Sequence, residues 1–157
     1  MSEVNPIPEG HHTITPHLVV NDGKSAIEFY KQAFGAEVIG CHMADDAGKV
    51  MHAELKIGDS IFYLCDEFEG IARSPVSLGG SPVTLHIYVE NVDEFFNRAV
   101  EAGATVRMPV ADQFWGDRYG KLSDPFGHDW SVATHIKELT SEEIIAAGQA
   151  AMSQSGD

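Results

Sequence analysis

His17, His52, Glu54 and His86 are the residues whose types and placement invite chemistry. His17 sits in the apolar stretch TPHLVV and His86 in TLHIYV, while His52 and Glu54 alternate with apolar residues along KVMHAELKI. Read as strands, period-2 alternation puts Leu18, Val20, Leu85, Ile87 and Val89 on one face, and His17, Val19, His86, Tyr88, His52 and Glu54 on the other. Two neutral imidazoles and a carboxylate suit zinc, nickel or ferrous iron. Glu54 is then a third ligand or the base that moves a proton. Strand histidines also serve as hydrogen-bonded rim or core residues, and matching histidines in a repeat can be inherited packing.

A second concentration is Gln113-Phe114-Trp115-Gly116-Asp117-Arg118-Tyr119-Gly120. It reads as a loop or strand edge offering a flat apolar wall (Trp115, Tyr119), a fixed cation (Arg118) and hydrogen-bonding tips, a usual lining for a small-molecule pocket. The plainer alternative is an Asp117–Arg118 surface pair with Trp115 packed beneath it. Other chemistry has little support. Neither Cys41 nor Cys65 has a base nearby in sequence, and there is no GxSxG elbow and no phosphate-cradling glycine loop.

The elements that must position these residues come from a repeat. TPHLVVNDGKSAIEFYKQAFGAEVIG, from Thr15, aligns with TLHIYVENVDEFFNRAVEAGATVRMP, from Thr84, so that His17 falls on His86, Val20 on Val89, Gly35 on Gly103 and Val38 on Val106. Each copy reads as an apolar strand, a polar turn, an amphipathic helix, a glycine stop and a further strand. Asp22 and Asn91 are the helix caps, with Glu94 in capping-box position. The apolar stripes Ala26, Ile27, Tyr30, Ala33, Phe34 and Val92, Phe95, Phe96, Ala99, Val100 each need a sheet beneath them. Two further strands follow in each copy: Lys49–Ile57 and Ser60–Cys65 about the Gly58-Asp59 turn, then Gly120–Leu122 and Asp129–Thr134 about Asp124–Gly127. The fold expected is therefore α+β, two tandem βαβββ modules over residues 13–67 and 83–135. Residues 68–82, rich in Gly, Ser and Pro, are the linker. In the tail, 136–157, Thr140 caps a helix over Glu142–Met152 that lies on the surface or against a partner chain.

Composition narrows the function classes. Ten Lys+Arg against 24 Asp+Glu give a formal charge of −14. Such a surface repels nucleic acid and anionic membranes and attracts cations, although many proteins are acidic simply to stay soluble. No run nears the roughly 18 apolar residues of a membrane span. The first twelve residues lack the basic and apolar regions of an export signal. Two cysteines without CxxC spacing read as buried, reduced thiols, and a cytoplasmic address fits.

The paired units, His17 and His86 on their first strands, and DPFGHDW near the end resemble the glyoxalase/bleomycin-resistance/extradiol-dioxygenase (vicinal oxygen chelate) superfamily. TPHLVV, FYKQAFGAE, MHAELKIGDS, LGGSPVTLHIYV and ADQFWGDRYGKLSDPFGH resemble its PhnB-like branch, over about residues 13–140. The resemblance implies a curved eight-stranded cup, commonly in a homodimer, that binds small molecules. In the enzymes one divalent metal takes a ligand from the first and last strand of each unit, typically two His and two Glu. His17 and His86 match the histidines. At the carboxylate positions the counts from the turn glycines give Phe62, with Tyr63 the nearest alternative, and Ser131.

Two functions follow. One is binding, without a metal, of a cationic or aromatic ligand by His52, Phe62, Tyr88, Trp115, Asp117, Arg118, Tyr119 and Ser131. The other is a lyase, isomerase or dioxygenase that holds one divalent ion (zinc, nickel, manganese or iron) on His17 and His86, with Glu54 as catalytic base or third ligand. The missing carboxylates favour binding. A scaffold or oligomerisation role explains the repeat but not the polar residues on the open faces.

Overall fold

The computed structural model describes residues 3–156, with the side chain of Cys41 outside the described residues. The repeat folds as its pattern requires. β1 (His17–Val20), α1 (Gly23–Phe34), β2 (Glu37–Ala44), β3 (Val50–Ile57) and β4 (Ser60–Asp66) form the first module. β5 (Thr84–Tyr88), α3 (Val92–Ala102), β6 (Thr105–Asp112), β7 (Asp117–Ser123) and β8 (Asp129–His135) form the second. A four-residue α2 (Pro75–Leu78) lies in the linker, and α4 (Ser141–Gln154) closes the chain.

Both helices start at the expected caps. Asp22 accepts from the Ser25 amide and Asn91 from the Glu94 amide, satisfying donors that have no partner within the helix. Gly35 ends α1 with φ 66°, a left-handed conformation that costs a residue without a Cβ nothing extra.

The eight strands divide into two four-stranded sheets, ordered β1-β4-β3-β2 and β5-β8-β7-β6. In each, the first strand runs parallel to the last and the other pairs are antiparallel. The helix-covered faces of the two sheets meet in one core. Phe34 of α1 stacks on Phe95 of α3 at 5.6 Å and meets Trp130 of β8 at 4.8 Å, and Phe62 of β4 reaches the same indole at 6.2 Å. Burying one such ring contributes on the order of 2–3 kcal/mol.

Polar links fix the angle between the modules. Asp124, buried in the β7–β8 turn, accepts from the Tyr30 hydroxyl at 2.6 Å and the Trp130 indole at 2.8 Å. Its other oxygen accepts from the Phe126 and His128 amides. Arg98 of α3 donates to the Gln32 and Lys31 carbonyls at the end of α1, where a cation is favoured.

Because the helix sides meet, the open faces of the two sheets turn away from each other. One chain therefore carries an open half-cup on each of its two four-stranded sheets. Cys65 is buried and free. Among the described residues no helix is long and apolar enough to cross a membrane.

Candidate functional site

On the first open face, register aligns His17 with Tyr63 and Tyr63 with Glu54. His52 lies two residues before Glu54, and its Nε2 is 3.4 Å from the Glu54 carboxylate. The rings of His17 and His52 are 6.1 Å apart, and those of His52 and Tyr63 4.8 Å. The Tyr63 hydroxyl pairs with His11 Nε2 at 2.8 Å, so a residue from the segment before β1 joins the face. Burial, with the His52 charge adding to it, lowers the pKa of His17 below the usual imidazole value.

The second open face is aromatic, built about one buried carboxylate. Asp117 begins β7 after Gly116, whose φ of 101° turns the chain. A Cβ at Gly116 would run into the Lys137 carbonyl, so only glycine lets the outgoing arm lie this close. Asp117 is 3% exposed and accepts from the Tyr88 hydroxyl at 2.9 Å and the Trp115 indole at 3.0 Å, with His135 Nδ1 at 2.8 Å on its other oxygen. His135 Nε2 meets Glu138 at 3.0 Å. Burial opposes ionisation of Asp117, but the bonds from His135, Tyr88 and Trp115 outweigh it and hold the carboxyl below its ordinary range. The bonds to Asp117 and Glu138 raise the pKa of His135, and the bond to Asp117 raises that of Tyr88.

The Tyr88 ring stands edge-on to His86 at 4.6 Å, Tyr119 stacks near-parallel on His86 at 5.9 Å, and Trp115 meets Tyr119 at 5.4 Å. His86 Nδ1 is 2.6 Å from Ser131 Oγ, its register partner on β8. Burial lowers the pKa of His86, partly offset by the charge of Asp117.

Residues 10–132 match the Glyoxalase/Bleomycin resistance protein/Dioxygenase superfamily. The chain belongs to this superfamily. An uncharacterized protein of Mycobacterium bovis is 47% identical over 148 residues, covering 92% of this chain and 94% of that one. Among solved structures, TioX from Micromonospora sp. ML1 superposes with a TM-score of 0.63 at 25% identity, over 80% of this chain and 99% of that one. A gene product of Arabidopsis thaliana gives 0.61 at 31%, over 78% and 98%.

The superfamily's metal pattern can be tested on these side chains. A centre built from the first and last strands of each module would pair His17 with Tyr63 and His86 with Ser131. Both last-strand groups are neutral hydroxyls in place of carboxylates, and both are already hydrogen-bonded, to His11 and His86. Among the described residues no group of three or more His, Cys, Asp or Glu is placed to share a metal ion. His17 and His86 lie on separate faces that turn apart. These residues do not fit the four-ligand centre.

Two of the expected ligand-lining residues stand off the open faces. Phe62 is not opposite His17: it points to the helix side, among Tyr30 and Trp130, and Tyr63 takes the open position. It lines a cavity of about 580 Å³ at the seam between modules, together with Phe34, Leu85, His86, Tyr88 and Phe95. Arg118 also faces the helix side, held by Asp93 of α3 at 2.8 Å and Asp112 at 3.0 Å. It offers no cation to the aromatic face. His52, Glu54, Tyr88, Trp115, Asp117, Tyr119 and Ser131 all lie on open faces, the first two apart from the rest. His11, His135 and Glu138 complete these groups and were missed in the sequence.

Proposed function

We propose that the protein binds an aromatic small molecule without a resident four-ligand metal, in cups that two copies of the chain complete. The preassembled aromatic face carries this reading. A buried, triply bonded carboxylate fixes Tyr88 and Trp115 beside His86 and Tyr119, although Tyr88 is 62% exposed. Aromatic groups fixed before binding lose little entropy when a ring stacks on them. A half-cup cannot enclose a ligand, so the first-module face of one protomer closes over the second-module face of its partner. The free edges of β1 and β5, each paired on one side only, are the surfaces on which the copies meet. The PhnB-like segments and a cytoplasmic address, consistent with the buried free thiol of Cys65, belong to the same proposal.

The test combines three measurements on untagged protein: mass in solution, metal content by elemental mass spectrometry, and ligand-induced change in Trp fluorescence. A dimer without stoichiometric metal, whose response to aromatic compounds disappears with Trp115→Ala and Tyr119→Ala, is expected. A bound metal lost in a His17→Ala/His86→Ala variant would replace this reading with a metal-dependent lyase, isomerase or dioxygenase.

A further inference from the structure

Register makes two equivalent rows on the open faces. The first sheet aligns His17, Tyr63, Glu54 and Ile39 across β1, β4, β3 and β2. The second aligns His86, Ser131, Lys121 and Met108 across β5, β8, β7 and β6. Where the first row carries a carboxylate, the second carries an ammonium. Glu54 has a partner in His52, but no side-chain hydrogen bond or ion pair among the described residues involves the Lys121 ammonium.

Lys24, Lys56 and Lys137 also lack a side-chain partner among the described residues, but of these four lysines only Lys121 lies in the row of His86 and Ser131. The carboxylates on the same face are engaged: Asp117 holds three donors and Asp129 accepts from Ser123. Arg107 is bonded to the same Ser123 hydroxyl. Lys121 is half-buried, so part of its hydration is already lost without a protein anion in exchange. Beside it, the His86–Ser131 pair has one property that does not depend on its tautomer. If the imidazole donates to Ser131, the serine hydroxyl keeps a proton to offer; if the serine donates, imidazole Nε2–H is the free donor.

We propose that the second-module face takes the carboxylate of an aromatic acid. Lys121 pairs with the carboxylate, the His86–Ser131 pair supplies one hydrogen bond, and the ring stacks beside Tyr119 and Tyr88. This rests on the aromatic-ligand reading above and adds the ligand's charge, opposite to the cation that the net charge of −14 suggests.

Three probes of one shape test it on the full chain: 3-phenylpropanoate, its uncharged amide, and 3-phenylpropylamine, each titrated by amide chemical-shift changes. The acid is expected to bind about tenfold more tightly than the amide, with the amine weakest. Lys121→Met should erase that preference and Lys121→Arg keep it, the dispersed spectrum of each variant reporting that it folds. Tyr119→Ala should weaken acid and amide together. Equal binding of acid and amide, tightest binding of the amine, or an acid preference that survives Lys121→Met overturns the carboxylate anchor and leaves the aromatic reading standing. No binding by any probe overturns both.

Discussion

The two open faces share one register and carry opposite kinds of side chain. The first is titratable: His11, His17, His52, Glu54 and Tyr63 touch one another in pairs, and no buried carboxylate organises them. The second is aromatic and organised by Asp117, which is withdrawn from solvent so that its three donors are fixed. A duplicated module can thus keep its backbone pairing while one half becomes a rigid platform and the other a wall of adjustable charge. The rigidity comes from one buried anion. The faces differ in their side chains and in the turn that carries Gly116 and Trp115.

The largest expected effect tests that claim. Asp117→Asn puts an amide donor among three donors, and should lower stability by about 2–4 kcal/mol, read from denaturant melts. Glu54→Gln, at a partly exposed pair, should cost under about 1 kcal/mol. Equal losses would erase the distinction between the faces. Next in size is Gly116→Ala, which forces an L residue to a φ of 101° and a Cβ into the Lys137 carbonyl. About 1–3 kcal/mol should be lost, with hydrogen exchange increasing first along residues 136–140 if the arm depends on that turn.

The pH response should divide between imidazoles. His135 has a raised pKa, so its pairing is fully present below the ordinary value of 6.5 and is lost as pH rises through the raised one. His17 and His86 have lowered values, so below 6.5 the unfolded chain takes up protons first and stability falls. Melts across that range should show His135→Ala losing the component that grows on acidification, and His17→Ala/His86→Ala losing the one that shrinks. Parallel curves for all variants would contradict the assignment. The smallest effect belongs to Arg118→Ala, under about 1 kcal/mol on the surface and without influence on ligand affinity. A lost ligand would return Arg118 to the site.

Much of the fold was legible because the repeat carries its own punctuation: Asp22, Asn91 and Thr140 cap the helices they begin, and alternation sorts strand faces without knowledge of any partner. The errors lie where a face depends on something non-local. Counting from Gly58 chose Phe62, but the residue opposite His17 is fixed by β1–β4 pairing and is Tyr63. Residues 113–120 read as a loop or strand edge, so no parity was applied to Arg118; as part of β7, Asp117 and Tyr119 face out and Arg118 the other way. His135 had a signal, since it continues the parity of Ser131 and Ala133. His11 had none, lying outside the repeat. That the two half-cups turn apart depends on how the modules dock, which neither half encodes alone.

The seam bond between Tyr30 and Asp124 bears on whether the halves could live apart. A chain severed at Gly79–Gly80 would leave each fragment with a ready-made sheet and an aromatic flank that water will not tolerate. Apolar flanks adhere in many orientations, but a hydroxyl and a carboxylate that must find each other inside the contact admit very few. Mixed in solution, the fragments should therefore rebuild one molecule in the parent arrangement.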